Sequence, residues 1–335
     1  MAPTGDDYTF LYMGIRGLGG FLKWKAPGAR KHLNWAAHRG ATWGIDCSCL
    51  LYRARGAGLE PLTVIASLLV RMRRAGITPV VVFDGRPPQA KAAVVEARRV
   101  VRQTAQREMA EIRADLVEHE KDLTEREKGD RERRLADLQK KAPTVSSGEK
   151  DALKQFLYAA GVLFLTANGE ADDVLAFLAR AGFLSAVVST DMDMLTRGIP
   201  SLVVPETNDA TTLSELRLDA VLGTLNVSYN QFVDACVLMG SDYAAKSWRG
   251  MEPAAALAAA RRGVDWGIQD VSGAVCDSLV EGRRMLVGAG VVWETLLGEK
   301  QREKWVAGAP AREPANLTAT ATAMKWPADW VAALL

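Results

Sequence analysis

Short apolar runs alternate with helix-like segments along most of this chain. Five runs rich in Val, Ile and Phe predict buried β-strands at residues 41–46, 78–84, 161–167, 184–191 and 201–206. Because these runs are mostly continuous rather than alternating, they are typical of a parallel sheet that is covered on both faces. Helical periodicity lies between them, as in residues 61–76 and 170–182. The order of elements predicts an α/β fold with a mostly parallel central sheet flanked by helices.

Residues 89–141 depart from this pattern. They carry dense charge of both signs and almost no Gly or Pro, which predicts one long helix or a pair of helices with little burial. A solvated helical hairpin and a mobile arch beside an active site both fit this composition. From residue 226 onward the pattern is mostly helical and includes an Ala-rich segment at 253–263.

Composition narrows the classes of function. No apolar run approaches the roughly 20 residues that would cross a membrane. The four cysteines form no C-x-x-C pair and only three histidines occur, so we expect no zinc site and an intracellular, reducing compartment rather than secretion. The net charge is only +2, so any nucleic-acid binding would come from local basic patches.

Acidic residues gather where predicted strands end. Asp46, Asp84 and Asp191 each close an apolar run, and Asp193 follows two residues after the last of them. Further acids occur in the segment GEADD at residues 169–173 and at Asp242. Because ligands bind beyond the carboxyl ends of parallel strands, we expect these side chains to meet at one edge of the sheet.

Converging carboxylates repel one another and need a positive counter-charge. No Lys or Arg is interleaved in these motifs, so a pair of divalent cations is the natural candidate, and oxygen ligands favour Mg²⁺, with Mn²⁺ able to substitute. Two ions about 3.5–4 Å apart support the in-line phosphoryl displacements of nucleases and phosphatases. The pattern therefore predicts two-metal chemistry on a phosphate ester, with water as the nucleophile.

Six sequence blocks resemble, in order and spacing, the flap endonuclease/XPG superfamily of structure-specific 5′ nucleases. The blocks are MGIRGL (13–18), IDCSCLLY (45–52), VVFDGRPPQAK (81–91), GEADDVLAFLARAG (169–182), STDMDML (189–195) and VLMGSDY (237–243). The resemblance implies an N-terminal extension at 1–12 and a PIN-like nuclease core at 13–225, with a helical arch at about 89–141. It also implies that residues 226–335 form a helical region containing a helix–two-turn–helix.

The resemblance also implies roles for individual residues. The metal-binding acids would be Asp46, Asp84, Glu170, Asp172, Asp191, Asp193 and Asp242. Asp173 is an extra acid in this scheme. Lys91 and Arg98 would contact the scissile phosphate, and their seven-residue spacing on a predicted helix places them on one face. Tyr52 matches a tyrosine that stacks on a nucleobase, although an ordinary core tyrosine is the alternative.

The implied function is hydrolysis of a DNA phosphodiester near a 5′ flap by two Mg²⁺ ions. A 5′–3′ exonuclease of the same superfamily is the nearest alternative. From other classes, a DNA-binding scaffold without activity and a haloacid-dehalogenase-like phosphatase remain, although Leu195 departs from the phosphatase motif. We expect a monomer that acts on DNA wherever it is replicated or repaired, in the nucleus if the cell is eukaryotic. We expect no membrane association, and no sliding-clamp peptide is recognisable in the last residues.

Two departures from the family pattern affect these expectations. Twelve residues precede Met13, where family members usually begin, so either Met13 is the true start or the extension follows another path. The two-turn loop reads Gly250-Met251-Glu252, where the family has glycine at the position of Glu252, and two alanines follow in place of basic residues. We expect a weaker grip on the duplex and little need for K⁺. Candidate DNA contacts in this region are Lys246, Arg249 and Gly250.

Overall fold

The computed structural model of the chain describes residues 14–119, 122–243, 250–264, 273–288 and 291–335. One seven-stranded sheet lies at its centre, with spatial order β1-β7-β6-β5-β2-β3-β4. The strands are β1 (Arg30–His32), β2 (Thr42–Asp46), β3 (Thr78–Phe83), β4 (Leu163–Thr166), β5 (Ala186–Val188), β6 (Ser201–Pro205) and β7 (Leu213–Arg217). Strands β4, β3, β2, β5 and β6 are parallel neighbours, whereas β7 runs antiparallel to β6 and β1. The predicted mostly parallel sheet is confirmed.

The two strands that sequence analysis missed, β1 and β7, lie at the antiparallel side of the sheet. Strand β1 has the sequence RKH and is largely exposed, and β7 includes polar residues and ends in an exposed arginine. A search for continuously apolar runs finds strands that are buried on both faces, so it passes over these two. The predicted strand 184–191 is shorter than expected and covers only Ala186–Val188, and the Ser189 hydroxyl just beyond it donates to Asp46 Oδ2 at 2.8 Å.

The described helices cover both faces of the sheet. They are α1 (Leu18–Lys25), α2 (Cys47–Gly56), α3 (Pro61–Arg74), α4 (Ala92–Glu118), α5 (Glu125–Lys141), α6 (Ser147–Ala159), α7 (Ala171–Arg180), α8 (Asp193–Thr196), α9 (Leu218–Leu225), α10 (Tyr229–Met239), α11 (Pro253–Arg262), α12 (Gly273–Leu286), α13 (Trp293–Leu296), α14 (Glu299–Ala307), α15 (Pro314–Ala323) and α16 (Ala328–Leu334). No described helix is both long enough and apolar enough to cross a bilayer.

Alternate residues of the central strands face two separate cores. On β3, Val80 and Val82 join the cluster under α1, α7, α9, α10 and α11, while Val81 and Phe83 join the cluster under α2, α3, α6, α15 and α16. This two-sided burial explains why the strands read as continuous apolar runs. Tryptophans near the end of the chain contribute to these cores, with Trp326 meeting Phe156 at a centroid distance of 5.3 Å.

The charged segment at 89–141 forms a helical hairpin made of α4 and α5. A small apolar cluster of Ala105, Leu138 and Ala142 joins the helices near the sheet. Farther out, Arg131 pairs with Asp115 at 2.5 Å. The predicted pair of helices is therefore present, held at its base by apolar contacts and farther out by ion pairs. The sequence-based domain boundaries at 13, 225 and 226 stay predictions.

Candidate active site

A cavity of about 750 Å³ opens at the edge of the sheet where β2, β3 and β5 end. Six of the seven predicted metal-binding acids line it: Asp46, Asp84, Glu170, Asp172, Asp191 and Asp242. Their convergence follows from topology, because the carboxyl ends of parallel strands meet at one edge. The seventh acid, Asp193, lies behind this surface and is only 1% exposed.

Local hydrogen bonds position Asp46 and Asp84. Asp46 ends β2 and caps α2, since its Oδ1 accepts from the backbone N–H of Cys49 at 3.1 Å. Asp84 follows β3, and its Oδ1 accepts from the N–H of Ala171 at 2.8 Å. Ala171 is the first residue of α7, so this bond joins the end of β3 to the helix that carries Glu170 and Asp172.

Gly14 explains how Asp191 and Asp193 come to face the same point. A Cβ atom built on Gly14 would overlap the Oδ1 atoms of both aspartates, so only glycine allows this approach. The N–H of Asp193 donates to Asp191 Oδ1 at 2.9 Å, which fixes the turn between them. Asp193 Oδ1 itself is buried and has no hydrogen-bond partner. Both carboxylates therefore converge on one place, and one of them has an unsatisfied oxygen there.

Burial and mutual repulsion make ionisation of this cluster costly. Burial, together with the charges of Asp84 and Asp191, raises the pKa of Asp46 to about 7. The pKa values of Asp172 and Asp193 are raised for the same reasons, with burial as the larger cause and Asp191 contributing to both. Cations bound among these carboxylates would therefore stabilise their ionised forms.

Lysine and arginine side chains of the protein compensate part of this negative charge. Lys91 Nζ lies 2.6 Å from Glu170 Oε1, and Arg98 Nη2 lies 2.9 Å from Asp242 Oδ2. Burial alone would lower the pKa of Lys91, but Tyr243 and the surrounding carboxylates raise it well above its usual value. Opposing burial, Lys91 also draws the pKa of Glu170 below its ordinary range. Sequence analysis expected divalent cations to neutralise the acids, and the fold additionally places Lys91 and Arg98 against two of them.

Sequence analysis missed two further residues, Arg197 and Tyr243. Arg197 is 1% exposed and its guanidinium pairs with Asp173, while its Nη2 donates to the Tyr243 hydroxyl at 2.8 Å. The Tyr243 hydroxyl in turn donates to Glu170 Oε2. Arg197 lies four residues after Asp193, and this helical spacing could have indicated that Arg197 lies near the predicted acidic site.

The lining of the cavity also carries five basic side chains, called here the basic rim. They are Arg53 of α2, Arg102 of α4 and Lys150 of α6, together with Lys91 and Arg98. Sequence analysis did not include Arg102 among the site residues, but it lies four residues beyond Arg98 and shares the helix face that lines the cavity. That face could have been recognised from its spacing of three or four residues. A cavity lined by both carboxylates and basic side chains suits a polyanion that approaches together with metal cations.

The predicted DNA contacts are only partly within the described residues. Tyr52 lines the cavity and also packs against the core under α2 and α3, so both sequence readings remain open. Gly250 has φ +74° and lies against the Met239 carbonyl, where a Cβ would collide. This packing gives a structural reason for the glycine, and its contact with DNA stays a prediction. Lys246, Arg249 and Met13 lie outside the described residues.

The donor set fits a hard divalent cation. Carboxylate oxygens are the ligands that Mg²⁺ and Mn²⁺ prefer, and Asp193 Oδ1 is a buried oxygen without a partner. Within the described residues, no three His, Cys, Asp or Glu side chains are arranged so that they could hold one metal ion together. Glu170, Asp242 and Asp173 are instead paired with Lys91, Arg98 and Arg197. Ion binding would therefore exchange protein cations for metal at some of these carboxylates.

The repulsion in the cluster gives a prediction for Asp172. We expect Asp172→Asn to raise the melting temperature of the metal-free protein at pH 8 by about 2 °C, the scale of somewhat under 1 kcal/mol in a large domain. A raised pKa in the folded state means that stability falls as the pH rises through that pKa, so removing the ionisable group helps most at high pH. Melting in EDTA at pH 8 and pH 5 tests this. An equal gain at both pH values, or a loss at pH 8, would contradict it.

Comparisons with known proteins agree with this geometry. The sequence matches the family models described as the XPG N-terminal domain, over residues 13–105, and the XPG I-region, over residues 161–242. Flap endonuclease 1 of Bos taurus is 32% identical over 262 residues, which make up 73% of this chain and 65% of the bovine protein. Flap endonuclease 1 of Mus musculus is 33% identical over 254 residues, or 71% of this chain and 63% of that protein. The chain thus spans about 65% of the length of the bovine relative.

Solved structures share the fold. Flap endonuclease-1 from Methanococcus jannaschii gives a TM-score of 0.62 at 19% identity and covers 91% of this chain and 95% of its own. The catalytic core of Rad2 in complex with DNA substrate gives 0.63 at 16% identity, covering 96% of this chain and 100% of its own. GEN1 in complex with product DNA and a Mg²⁺ ion gives 0.55 at 14% identity, covering 92% of this chain and 73% of its own. The two family models together match more than half of the chain. The chain therefore belongs to the XPG/flap endonuclease superfamily.

Proposed function

We propose that this chain is a structure-specific 5′ nuclease that hydrolyses a DNA phosphodiester near the junction of a single-stranded 5′ flap with duplex. The observation that carries the proposal is a single cavity lined by six carboxylates and by five Lys or Arg side chains. A neutral or purely cationic substrate would gain nothing from the basic side chains. A phosphodiester that binds with divalent cations is attracted by both sets of charges.

The six acids that line the cavity would hold two Mg²⁺ ions, which would supply charge stabilisation for the in-line displacement at a phosphate ester. The carboxylates Asp46, Asp84 and Asp191 stand at strand ends, so the sheet keeps their positions fixed. The ordered backbone limits the reorganisation needed when charge develops in the transition state.

Lys91 and Arg98 would bind the non-bridging oxygens of the scissile phosphate. Both side chains end at carboxylates in the cavity, Lys91 at Glu170 and Arg98 at Asp242. If the carboxylates bound metal, these cations would lose their partners and become available to the phosphate. The exchange leaves no buried charge uncompensated at either stage.

Membership of the superfamily speaks against the haloacid-dehalogenase-like alternative. The hairpin of α4 and α5 carries Lys91, Arg98 and Arg102 near its base, where a single strand that threads or passes under the hairpin would reach the cavity. This placement favours a substrate with a free single-stranded 5′ end. Endonucleolytic and 5′–3′ exonucleolytic cleavage both fit it, and the products distinguish them.

The test uses the full chain and three labelled DNAs: a 5′ flap, a nicked duplex and a blunt duplex. With Mg²⁺ we expect cleavage of the flap near its junction to yield one main product several nucleotides long, and EDTA to abolish it. Mononucleotides released from the nick or the blunt end would favour the exonuclease alternative. Binding without cleavage of any substrate, with Mg²⁺ or Mn²⁺, would favour an inactive scaffold.

The two-turn loop before α11 gives a prediction about duplex binding. Glu252 and Ala254 are exposed at the start of α11, and the Glu252 side chain makes no capping bond there. We expect Glu252→Gly with Ala254→Lys to tighten flap binding and to steepen its salt dependence, since each added phosphate contact contributes about −0.9 to the slope of log K against log salt.

Fluorescence anisotropy across a salt series measures both quantities. The matched control is Ala315→Lys, which adds a charge on α15, a helix on the opposite face of the sheet from α11. The control should leave the slope unchanged. If the double variant also keeps the original affinity and slope, this loop does not contact DNA.

A further inference from the structure

The most deeply buried cation of the described residues sits beside the acidic cavity without lining it. Arg197 is 1% exposed, and its guanidinium reaches three groups: Asp173, the Tyr243 hydroxyl at 2.8 Å and Glu170 Oε2 at 3.5 Å. A buried arginine is tolerated only where partners compensate its charge, and one of its three partners, Glu170, lines the cavity. Its position at the end of α8, just after Asp193, ties it to the same strand-end segment.

Adjacent aspartates of α7 have different surroundings. Successive residues of a helix point about 100° apart. Asp172 therefore lines the cavity, whereas Asp173 is turned to Arg197. The sequence alone offers both acids to a metal, and the structure occupies one of them with a protein cation.

Glu170 is held from two sides. Its Oε2 accepts from the Tyr243 hydroxyl and faces Arg197, while its Oε1 faces Lys91 at 2.6 Å. Lys91 Nζ also lies 4.5 Å from the Tyr243 ring centroid. The Oε2 side is fixed by a buried network, whereas the Oε1 side depends on Lys91, which lines the open cavity.

We propose that Arg197 is a positioning residue that neutralises Asp173, removing it from the set of metal ligands, and fixes Glu170 so that only Oε1 is free to bind an ion. The inference rests on the proposed function in one respect, namely that the cavity binds a divalent metal. Arg197 touches neither substrate nor the reacting atoms, and it acts through Glu170 and Tyr243.

The proposal predicts opposite effects from the two halves of the Arg197–Asp173 pair. Asp173→Asn leaves the guanidinium uncompensated, so it repels a divalent ion and holds Glu170 more strongly. Metal affinity should fall about tenfold, a conservative figure for one unit charge near a divalent ion at an effective dielectric constant of about 20. Arg197→Met removes the fixed positive charge and should raise metal affinity about tenfold, while a loosened Glu170 lowers the cleavage rate at saturating metal.

The experiment is calorimetric titration of the full chain with Mn²⁺ in the absence of DNA, paired with single-turnover cleavage. The double variant Asp173→Asn with Arg197→Met restores the charge balance, so its Mn²⁺ affinity should return to within about threefold of the original while its cleavage rate stays low. The matched control is Arg283→Met, which breaks another Arg–Asp pair, Arg283–Asp234 at 2.6 Å, away from the cavity. It should leave Mn²⁺ affinity unchanged.

A purely structural arginine would alter melting temperature without giving opposite shifts in metal affinity. Shifts in the same direction, or none, overturn the proposal. If Arg197→Met fails to fold, Asp173→Asn still decides, because an unchanged Mn²⁺ affinity in that variant overturns it too. A chain that binds Mn²⁺ with the expected opposite shifts but cuts no DNA refutes the proposed nuclease function and supports this inference. A wild-type chain that binds no Mn²⁺ overturns both.

Discussion

Asp193→Ala is expected to lower the rate of flap cleavage at least about 10³-fold, or ~4 kcal/mol in the activation barrier, with little change in flap affinity. Asp193 Oδ1 is buried without a partner and faces the same point as Asp191. It therefore offers an oxygen to an ion and no contact to a phosphate. The basic rim, which attracts the DNA backbone, remains intact in this variant.

Single-turnover cleavage with saturating Mg²⁺ and anisotropy in EDTA measure the two quantities separately. Asp234→Ala is the matched control, because this carboxylate pairs with Arg283 away from the cavity and should leave the cleavage rate within about threefold of the original. Retention of more than about a tenth of the rate in Asp193→Ala would contradict two-metal catalysis at this site.

The central strands were predictable because they are buried on both faces. Residues such as Val80, Val81 and Val82 all face a core on one side or the other, and a run of consecutive apolar residues records that directly. Asp46 and Asp84 were placed correctly by the same logic, since the end of a parallel strand defines the edge where ligands bind. Sequence reasoning succeeded where one physical requirement dominates a stretch of chain.

Sequence reasoning failed where the surroundings of a side chain come from segments that are distant along the chain. Arg197 is polar in sequence, and only packing shows that Asp173, Glu170 and Tyr243 surround it. The short strand β1 has an exposed sequence, so its place in the sheet depends on pairing with β7 rather than on its own apolar content. Long-range pairing of charges and of edge strands leaves only a weak local signal.

Sequence analysis did not anticipate that Lys91 and Arg98 pair with carboxylates of the cavity, and these ion pairs affect the site when no substrate is bound. Lys91 and Arg98 were expected to contact the scissile phosphate, yet without substrate they already form ion pairs with Glu170 and Asp242. The acid cluster is thus partly compensated by protein cations, which lets the cavity fold despite the burial that raises the pKa of Asp46 to about 7. Under the proposed function, we expect the same cations to contact the phosphate once metal occupies those carboxylates.

Arg98→Ala is expected to reduce single-turnover cleavage about 10²–10³-fold, the scale for losing one pre-positioned cation at a transferring group. The Arg98 side chain is 34% exposed at the cavity and ends 2.9 Å from Asp242 Oδ2, so it reaches both the carboxylate and the open space above it. Arg131→Ala is the matched control on the same hairpin. Arg131 pairs with Asp115 far from the cavity and should alter the rate less than about threefold.

Arg98→Ala should respond to Mg²⁺ in a way that separates its two roles. Because the variant frees Asp242 from its partner, its need for Mg²⁺ should not increase, and raising the Mg²⁺ concentration should fail to restore the rate. Arg98→Lys keeps the charge but loses the paired donors of a guanidinium, so an intermediate rate is expected. Equal rates for Arg98→Ala and Arg131→Ala, or full recovery at high Mg²⁺, would mean that Arg98 serves only to balance Asp242 and that another cation of the rim contacts the scissile phosphate.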